Sequence, residues 1–306
     1  MIQRSSSSIT GRHAHADLVI ITPARNEADR LPRLAKCLLS QTRLPCRWVI
    51  VDDGSTDDTA KVAFALAQAH DWISVLRRND RGARKLGGGV VDAFNIGLDS
   101  VNRPWDFVAK VDADLTFGSR YIERLLEHFA EDPLLGSASG KVFRPEDGHL
   151  VEEFMIDDMV AGQWKCWRRA CFEDIGGLVP EVMWDGIDFH QARRMGWRTK
   201  SIPEDALRIL HHRLMGSSDR NIYRGRVRLG AGQWFMGTHP LYLIASAIFR
   251  MYERPRVLGG ICMLWGYFTS AARRRPRYGD VDFRRDLRRW QLERLKALIT
   301  RGKVRA

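Results

Sequence analysis

Residues 48–58 read Trp48-Val49-Ile50-Val51-Asp52-Asp53-Gly54-Ser55-Thr56-Asp57-Asp58. Four apolar residues without alternation predict a strand buried on both faces. The Asp pair and glycine end it. Ser55 or Thr56 then reads as a helix cap, with Asp57 and Asp58 in a first turn that favours anions. The helix that follows would bury Val62, Leu66 and Ala69.

The same unit recurs on either side. Upstream, residues 18–22 (LVIIT) form a buried strand that runs into Pro23-Ala24-Arg25-Asn26-Glu27, and Leu31, Leu34 and Leu38 follow at helical spacing. Downstream come a strand at 73–76 (ISVL) and the loop Arg81-Gly82-Ala83-Arg84-Lys85-Leu86-Gly87-Gly88-Gly89. A helix over about 90–98 leads to a strand at 106–111 (DFVAKV), which ends in Asp112-Ala113-Asp114. A helix over about 120–129 carries Ile122, Leu125, Leu126 and Phe129 on one face. Strands alternating with helices predict an α/β fold with a mostly parallel sheet. In such sheets ligands bind beyond the carboxyl ends of the strands. Three of those ends carry polar clusters here: Pro23–Glu27, Asp52–Ser55 and Asp112–Asp114.

Charge divides the chain. Residues 1–207 hold 27 Lys and Arg against 31 Asp and Glu, and residues 208–306 hold 22 against 6. The net charge of +12 therefore belongs to the last third. A hydrophobic share of 44% and a charged share of 28% exclude a mostly disordered chain and argue against a multi-span membrane protein. The Ser-rich residues 1–16 read as a disordered leader without signal-peptide character. The 5 cysteines read as reduced thiols, which points to the cytoplasm.

Each polar cluster has a chemical reading and a plain one. Asp112 and Asp114, one residue apart at a strand end, can share a divalent cation such as Mg²⁺ or Mn²⁺, or can be a solvated turn. Asp52 and Asp53 can accept hydrogen bonds from a base or ribose, or can serve the helix start. Arg84 and Lys85 among glycines suit phosphate oxygens, or form a plain surface loop. That loop is no Walker A sequence, and the first strand does not lead into GxGxxG, which counts against a dinucleotide-binding dehydrogenase. Asp185, between Trp184 and Gly186 at a predicted helix start, can be a general base or a cap. His211 and His212 follow a short apolar run, where a histidine can ligate a metal or be structural.

Taken in order, these motifs resemble the inverting family 2 glycosyltransferases of GT-A fold. The resemblance runs from about Leu18 to Arg213. It rests on Pro23–Glu27, on Val51–Asp57, on Asp112-Ala113-Asp114, and on Gly176-Gly177 followed by Trp184-Asp185 and Gly196-Trp197-Arg198. It implies that Pro23, Arg25, Asn26, Glu27, Asp52, Asp53, Arg84 and Lys85 serve the nucleotide-sugar donor, UDP being the family's commonest nucleotide. Asp112 would face ribose and diphosphate, and Asp114 would ligate Mg²⁺ or Mn²⁺. His211 or His212 would supply a further metal or diphosphate contact. Asp185 would be the general base, with Asp188 a competitor. The usual acceptor motif reads Glu-Asp. Here Trp184 stands in place of the Glu and offers a flat apolar surface on which an acceptor sugar could stack.

These readings divide the chain into a leader (1–16), a GT-A catalytic domain (17–215) and a basic, partly apolar helical extension (216–306). The expected reaction is metal-dependent, inverting sugar transfer to a hydroxyl of a glycan or glycolipid, in surface polysaccharide or glycolipid synthesis. A polyprenyl-phosphate acceptor and a non-catalytic nucleotide- or membrane-binding module are the alternatives. The extension holds two segments free of charged side chains, 239–249 and 257–272, both too short to span a bilayer. Three readings compete for it: a peripheral surface on the cytoplasmic face of a membrane, helices packed on the catalytic domain or in a dimer interface, and a nucleic-acid surface. No nucleic-acid motif supports the third, and the aromatics cluster apart from the cations. A tail helix over 281–299 would carry Phe283, Leu287 and Trp290 as a stripe, interrupted by Arg294.

Overall fold

The computed structural model describes residues 16–304 except 81, 83–87, 147, 154, 213–221 and 253–254, with the backbone alone for 299–304. Residues 1–15 of the leader, Arg84 and Lys85 lie outside the described residues.

A 7-stranded sheet forms the centre. Its strands are β1 (Leu18–Ala24), β2 (Arg47–Asp52), β3 (Ile73–Arg77), β4 (Phe107–Val111), β6 (Leu135–Gly140), β9 (Trp164–Arg168) and β10 (Arg198–Ile202). They lie in the order β10-β6-β9-β4-β1-β2-β3. β4, β1, β2 and β3 are parallel neighbours, while β9 runs antiparallel between β4 and β6. The polar ends of β4, β1 and β2 therefore lie side by side along one edge. This is the mostly parallel α/β sheet that the periodicity predicts.

A second sheet of 4 strands joins β5 (Leu115–Phe117), β7 (Val142–Glu146), β8 (His149–Glu152) and β11 (Ile209–His211). β11 pairs antiparallel with β5, and the register sets His211 opposite Leu115, next to Asp114.

Helices cover the central sheet. α1 (Leu31–Leu39) buries Leu31, Leu34 and Leu38, and α4 (Tyr121–Glu131) buries Tyr121, Ile122, Leu125, Leu126 and Phe129. α2 (Thr59–Ala69) starts later than its sequence suggests, and Ser55 and Thr56 do not cap it. They turn instead to the first loop: the Asn26 amide donates to Ser55 Oγ (3.0 Å) and the Thr56 amide donates to Asn26 Oδ1 (2.9 Å). Asp57 takes up the helix start, accepting from the Thr59 amide (3.0 Å) and hydroxyl. α2 buries Ala60 and Ala63, while Val62 and Leu66 are only partly buried, because α2 lies over the β3 edge of the sheet, where less of it is covered. α3 (Gly88–Asp99), α5 (Arg169–Asp174) and α6 (Trp184–Arg194) cover the opposite face, against Val19, Ile21, Val49 and Val51.

The last third is helical, as its sequence suggests: α7 (Ile222–Met236), α8 (Pro240–Arg250), α9 (Leu258–Ala272) and α10 (Val281–Val304). No described helix is long and apolar enough to cross a membrane. α10 docks on α6: Phe283 and Leu287 pack with Ile187 and Met236, and Arg194 pairs with Asp280 (2.7 Å) and Arg193 with Asp286. Arg294 does not break the stripe, because its guanidinium lies over the Trp290 ring. α7 and α9 touch backbone to backbone. A Cβ on Gly230 would collide with the Met263 carbonyl oxygen, and one on Gly266 with that of Val227.

Candidate active site

The β1 and β2 ends are laced into one cradle. Asn26 adopts φ +57°, which its short amide tolerates, and its side chain and amide reach the β2–α2 turn. The Glu27 amide donates to Thr59 Oγ1 (2.8 Å). Arg25 donates to the Asp53 carbonyl (2.6 Å) and to Asp80 (2.7 Å). Gly54 has φ +75°, and a Cβ there would lie 2.6 Å from Asp80 Cα, so only glycine lets the two loops meet. Asp53 pairs with Arg78 (2.7 Å). Asp52 accepts from the Ser55 amide (2.9 Å), and its second oxygen is buried without a hydrogen bond, 3.5 Å from Arg77. Arg25 and Asn26 thus shape the cradle through loop contacts, and Glu27 is buried, with Arg30 donating to its carboxylate (3.1 Å).

At the end of β4, Lys110 is buried among apolar neighbours. Its ammonium donates to Asp112 Oδ1 (2.5 Å) and the Gly162 carbonyl (2.6 Å), and lies 5.5 Å from the Trp184 ring centroid. Burial raises the Asp112 carboxyl above its usual range and nearby Asp114 adds to this, while Lys110 opposes it. Asp114 Oδ2 is 3.6 Å from His211 Nε2, and Glu153 Oε1 holds His211 Nδ1 at 3.0 Å. Burial works against charge on His211, but its bonds to Asp114 and Glu153 prevail and raise it to about 9. His212 points elsewhere, to Thr116 Oγ1 (2.8 Å). Of the two histidines, His211 is the one that faces Asp114.

Asp185 stands in the first turn of α6, across Gly162 from Lys110. A Cβ on Gly162 would lie 3.2 Å from Asp185 Oδ2. Met183, at φ +72°, turns the chain into that helix. Asp188 is differently placed. Its side chain is 2% exposed and both oxygens are engaged, one by Lys165 (2.7 Å) and one by the Trp167 indole (2.8 Å). A carboxylate so enclosed has no lone pair aimed at an incoming hydroxyl. Trp184 is also buried, at 8% exposure, beside Trp167 and Gly162. The indole expected to stack on an acceptor sugar instead packs beneath Lys110, and its face is covered.

Lys110, Glu153, Lys165 and Gln163, whose carbonyl accepts from the Asp112 amide (2.9 Å), had no place in the motif reading. Lys110 does leave a trace, as the lone cation inside an apolar strand, whereas Lys165 shares its strand with Arg168. Glu153 follows the exposed β8 edge and leaves none.

Residues 19–160 match the model of glycosyl transferase family 2. That match covers less than half of the chain. Among curated relatives, the glycosyltransferase GlyG of Streptococcus pneumoniae is 24% identical over 191 residues, which cover 57% of this chain and 60% of GlyG. The poly-beta-1,6-N-acetyl-D-glucosamine synthase of Staphylococcus aureus is 27% identical over 115 residues, 38% of this chain and 26% of the synthase. The chain thus spans less than two thirds of these relatives. Among solved structures, S. aureus TarS 1–349 with UDP-GlcNAc superposes with a TM-score of 0.54 at 14% identity, over 82% of this chain and 71% of that one. The mannosyltransferase PcManGT of Pyrobaculum calidifontis, with GDP-Man and Mn²⁺, gives 0.52 at 19% identity, over 85% and 74%. The architecture is the expected GT-A fold with a helical C-terminal region.

Proposed function

We propose that this chain is a glycosyltransferase that moves a sugar from a nucleoside-diphosphate donor to an acceptor hydroxyl, with inversion, in polysaccharide or glycolipid synthesis. One observation carries the reading: the Asp185 carboxylate lies against Gly162, where a Cβ would come within 3.2 Å of Oδ2, and Lys110 ties the Gly162 carbonyl to Asp112 at the end of β4.

The residues fit a divalent ion. Asp114 Oδ2 and His211 Nε2 face each other at 3.6 Å, with His211 oriented from behind by Glu153. Among the described residues no group of three or more His, Cys, Asp or Glu is arranged to hold an ion. Mg²⁺ and Mn²⁺ sites commonly complete such a partial set with phosphate oxygens and water. A bound ion there would neutralise charge on the leaving diphosphate.

The chain's own groups then divide the work. The cradle of Pro23–Glu27 and Asp52–Ser55 receives base and ribose. Lys110 fixes Asp112 and, through the Gly162 carbonyl, the floor under Asp185. Asp185 takes the acceptor proton as the acceptor oxygen bonds to the anomeric carbon and the bond to the diphosphate breaks. The nucleoside diphosphate leaves, and the single displacement inverts the centre. Such base catalysis contributes roughly 10²–10⁴-fold. UDP-sugars are the first donors to test, because the S. aureus neighbour was solved with UDP-GlcNAc. GDP-sugars come second, after PcManGT.

The test is a thermal-shift screen of UDP-, GDP- and dTDP-sugars with and without Mn²⁺, followed by transfer assays on Asp185→Asn. Stabilisation should require both sugar nucleotide and ion. Asp185→Asn should keep donor binding and lose more than nine-tenths of turnover. Full turnover by that variant with a polyprenyl phosphate acceptor would instead support the phosphate-acceptor reaction, which needs no base.

A further inference from the structure

α8 and α9 form a hairpin with buried inner faces and apolar side chains exposed on the outer faces. On α8, Leu243 and Ala247 are buried, while Leu241, Ile248 and Phe249 (53%) are exposed on the other side. On α9, Gly260, Met263, Gly266 and Tyr267 are buried, while Ile261, Trp265 (66%) and Phe268 are exposed. The spacing of 261, 265 and 268 is that of one helix face. Tyr252, at the hairpin tip, is 82% exposed. A soluble surface rarely leaves an apolar patch of this extent uncovered.

Charge marks the edges of the same element. Residues 257–272 carry no charged side chain, yet Arg256 precedes them and Arg273, Arg274 and Arg275 follow, all exposed. The exposed stripe of this 15-residue helix can rest at the headgroup–acyl boundary while the arginines at its ends meet anionic headgroups. Crossing is excluded by length, since no described helix is long and apolar enough to span a bilayer. A second copy of this chain would bring the same cations to the same edges, and like charges would face each other. An anionic lipid surface brings both the apolar layer and the opposite charge.

We infer that the α8–α9 hairpin is an in-plane docking surface for an anionic lipid bilayer. The hairpin also touches the acceptor side of the site through α7. α9 packs on α7 at Gly230 and Gly266, and α7 packs on the α6 start, where Gly232 abuts Met183 and Met236 abuts Gly186. Docking would hold Asp185 at a fixed attitude to the headgroup plane.

The experiment is co-sedimentation of the full chain with phosphatidylcholine vesicles, alone or with roughly one third phosphatidylglycerol, without donor or acceptor, so that it reads docking apart from sugar transfer. The wild type should pellet with the anionic vesicles and bind neutral ones at least about tenfold more weakly. The pair Ile261→Glu and Trp265→Glu should lower partitioning at least about tenfold while melting like the wild type, since both positions are exposed. Brominated lipids should quench wild-type fluorescence more than that of Trp265→Phe, a variant that keeps the packing. Equal recovery with neutral and anionic vesicles, or equal quenching in Trp265→Phe, would overturn the inference. So would a dimer in sedimentation velocity that Trp265→Glu dissociates without any vesicle binding, which would assign the face to a second copy.

Discussion

Replacing Asp188 by Asn should unfold the protein early without touching the chemistry. The Lys165 ammonium lies 2.7 Å from Asp188, with side-chain exposures of 0% and 2%. The amide of Asp188→Asn keeps one acceptor oxygen for two donors, Lys165 and the Trp167 indole, and carries no charge to balance the ammonium, which then has only the Asp185 carbonyl at 3.2 Å and the faces of Trp167 and Trp184 besides. Breaking a buried pair from one side costs about 3–5 kcal/mol. At about 2–4 °C per kcal/mol for a domain of this size class, the melting temperature should fall by roughly 10 °C. Lys165→Met with Asp188→Leu removes both charges and should recover most of the loss, because the penalty comes from the orphaned ammonium. The assay is differential scanning fluorimetry, with transfer measured well below the lower transition. If Asp188→Asn melted with the wild type and lost transfer, while Asp185→Asn remained active, the assignment of base and buried pair would be reversed.

Three further outcomes can be measured directly. In metal-free buffer, His211 contributes stability that is complete below pH 6.5 and is lost as pH rises through about 9, because its folded pKa is raised. Chemical denaturation should fall by at most about 3 kcal/mol over that window, and His211→Asn should flatten the dependence. Glu153→Gln should weaken Mn²⁺ binding about 10–100-fold by releasing the imidazole it orients, read by Mn²⁺-dependent thermal shift. Gly266→Val should destabilise the chain by pushing α7 off α9, seen as a lower melting temperature, whereas Gly279→Ala, where nothing lies within 4 Å, should melt like the wild type.

Strand periodicity carried most of the fold. Leu18–Thr22, Trp48–Val51 and Phe107–Val111 are buried runs, and their ends place three polar clusters on one edge because β4, β1 and β2 are adjacent and parallel. What the chain could not disclose was partnership across distance. Ser55 and Thr56 read as caps because a Ser-Thr-Asp-Asp run is locally indistinguishable from one, yet Asn26 engages them from about 30 residues away. Asp185 and Asp188 are interchangeable on a helix start until β9 brings Lys165 and Trp167 under one of them. Trp184 read as a stacking surface because its type favours that, whereas Gly162 and Trp167 enclose it. Glu153 was silent because a lone acid beyond an exposed strand carries no periodic signal.

The glycine contact between α7 and α9 has a mechanical consequence. Two backbones in direct touch have no side chain between them whose rotamer can yield, so the helix pair behaves as a single lever. One arm is the hairpin, and the other ends at Met183 and Gly186, on either side of the proposed base. Larger residues at Gly230 or Gly266 would insert a compressible layer. A tilt at the outer arm would then dissipate before reaching Asp185, and the angle at which an acceptor hydroxyl meets the anomeric carbon would no longer follow it.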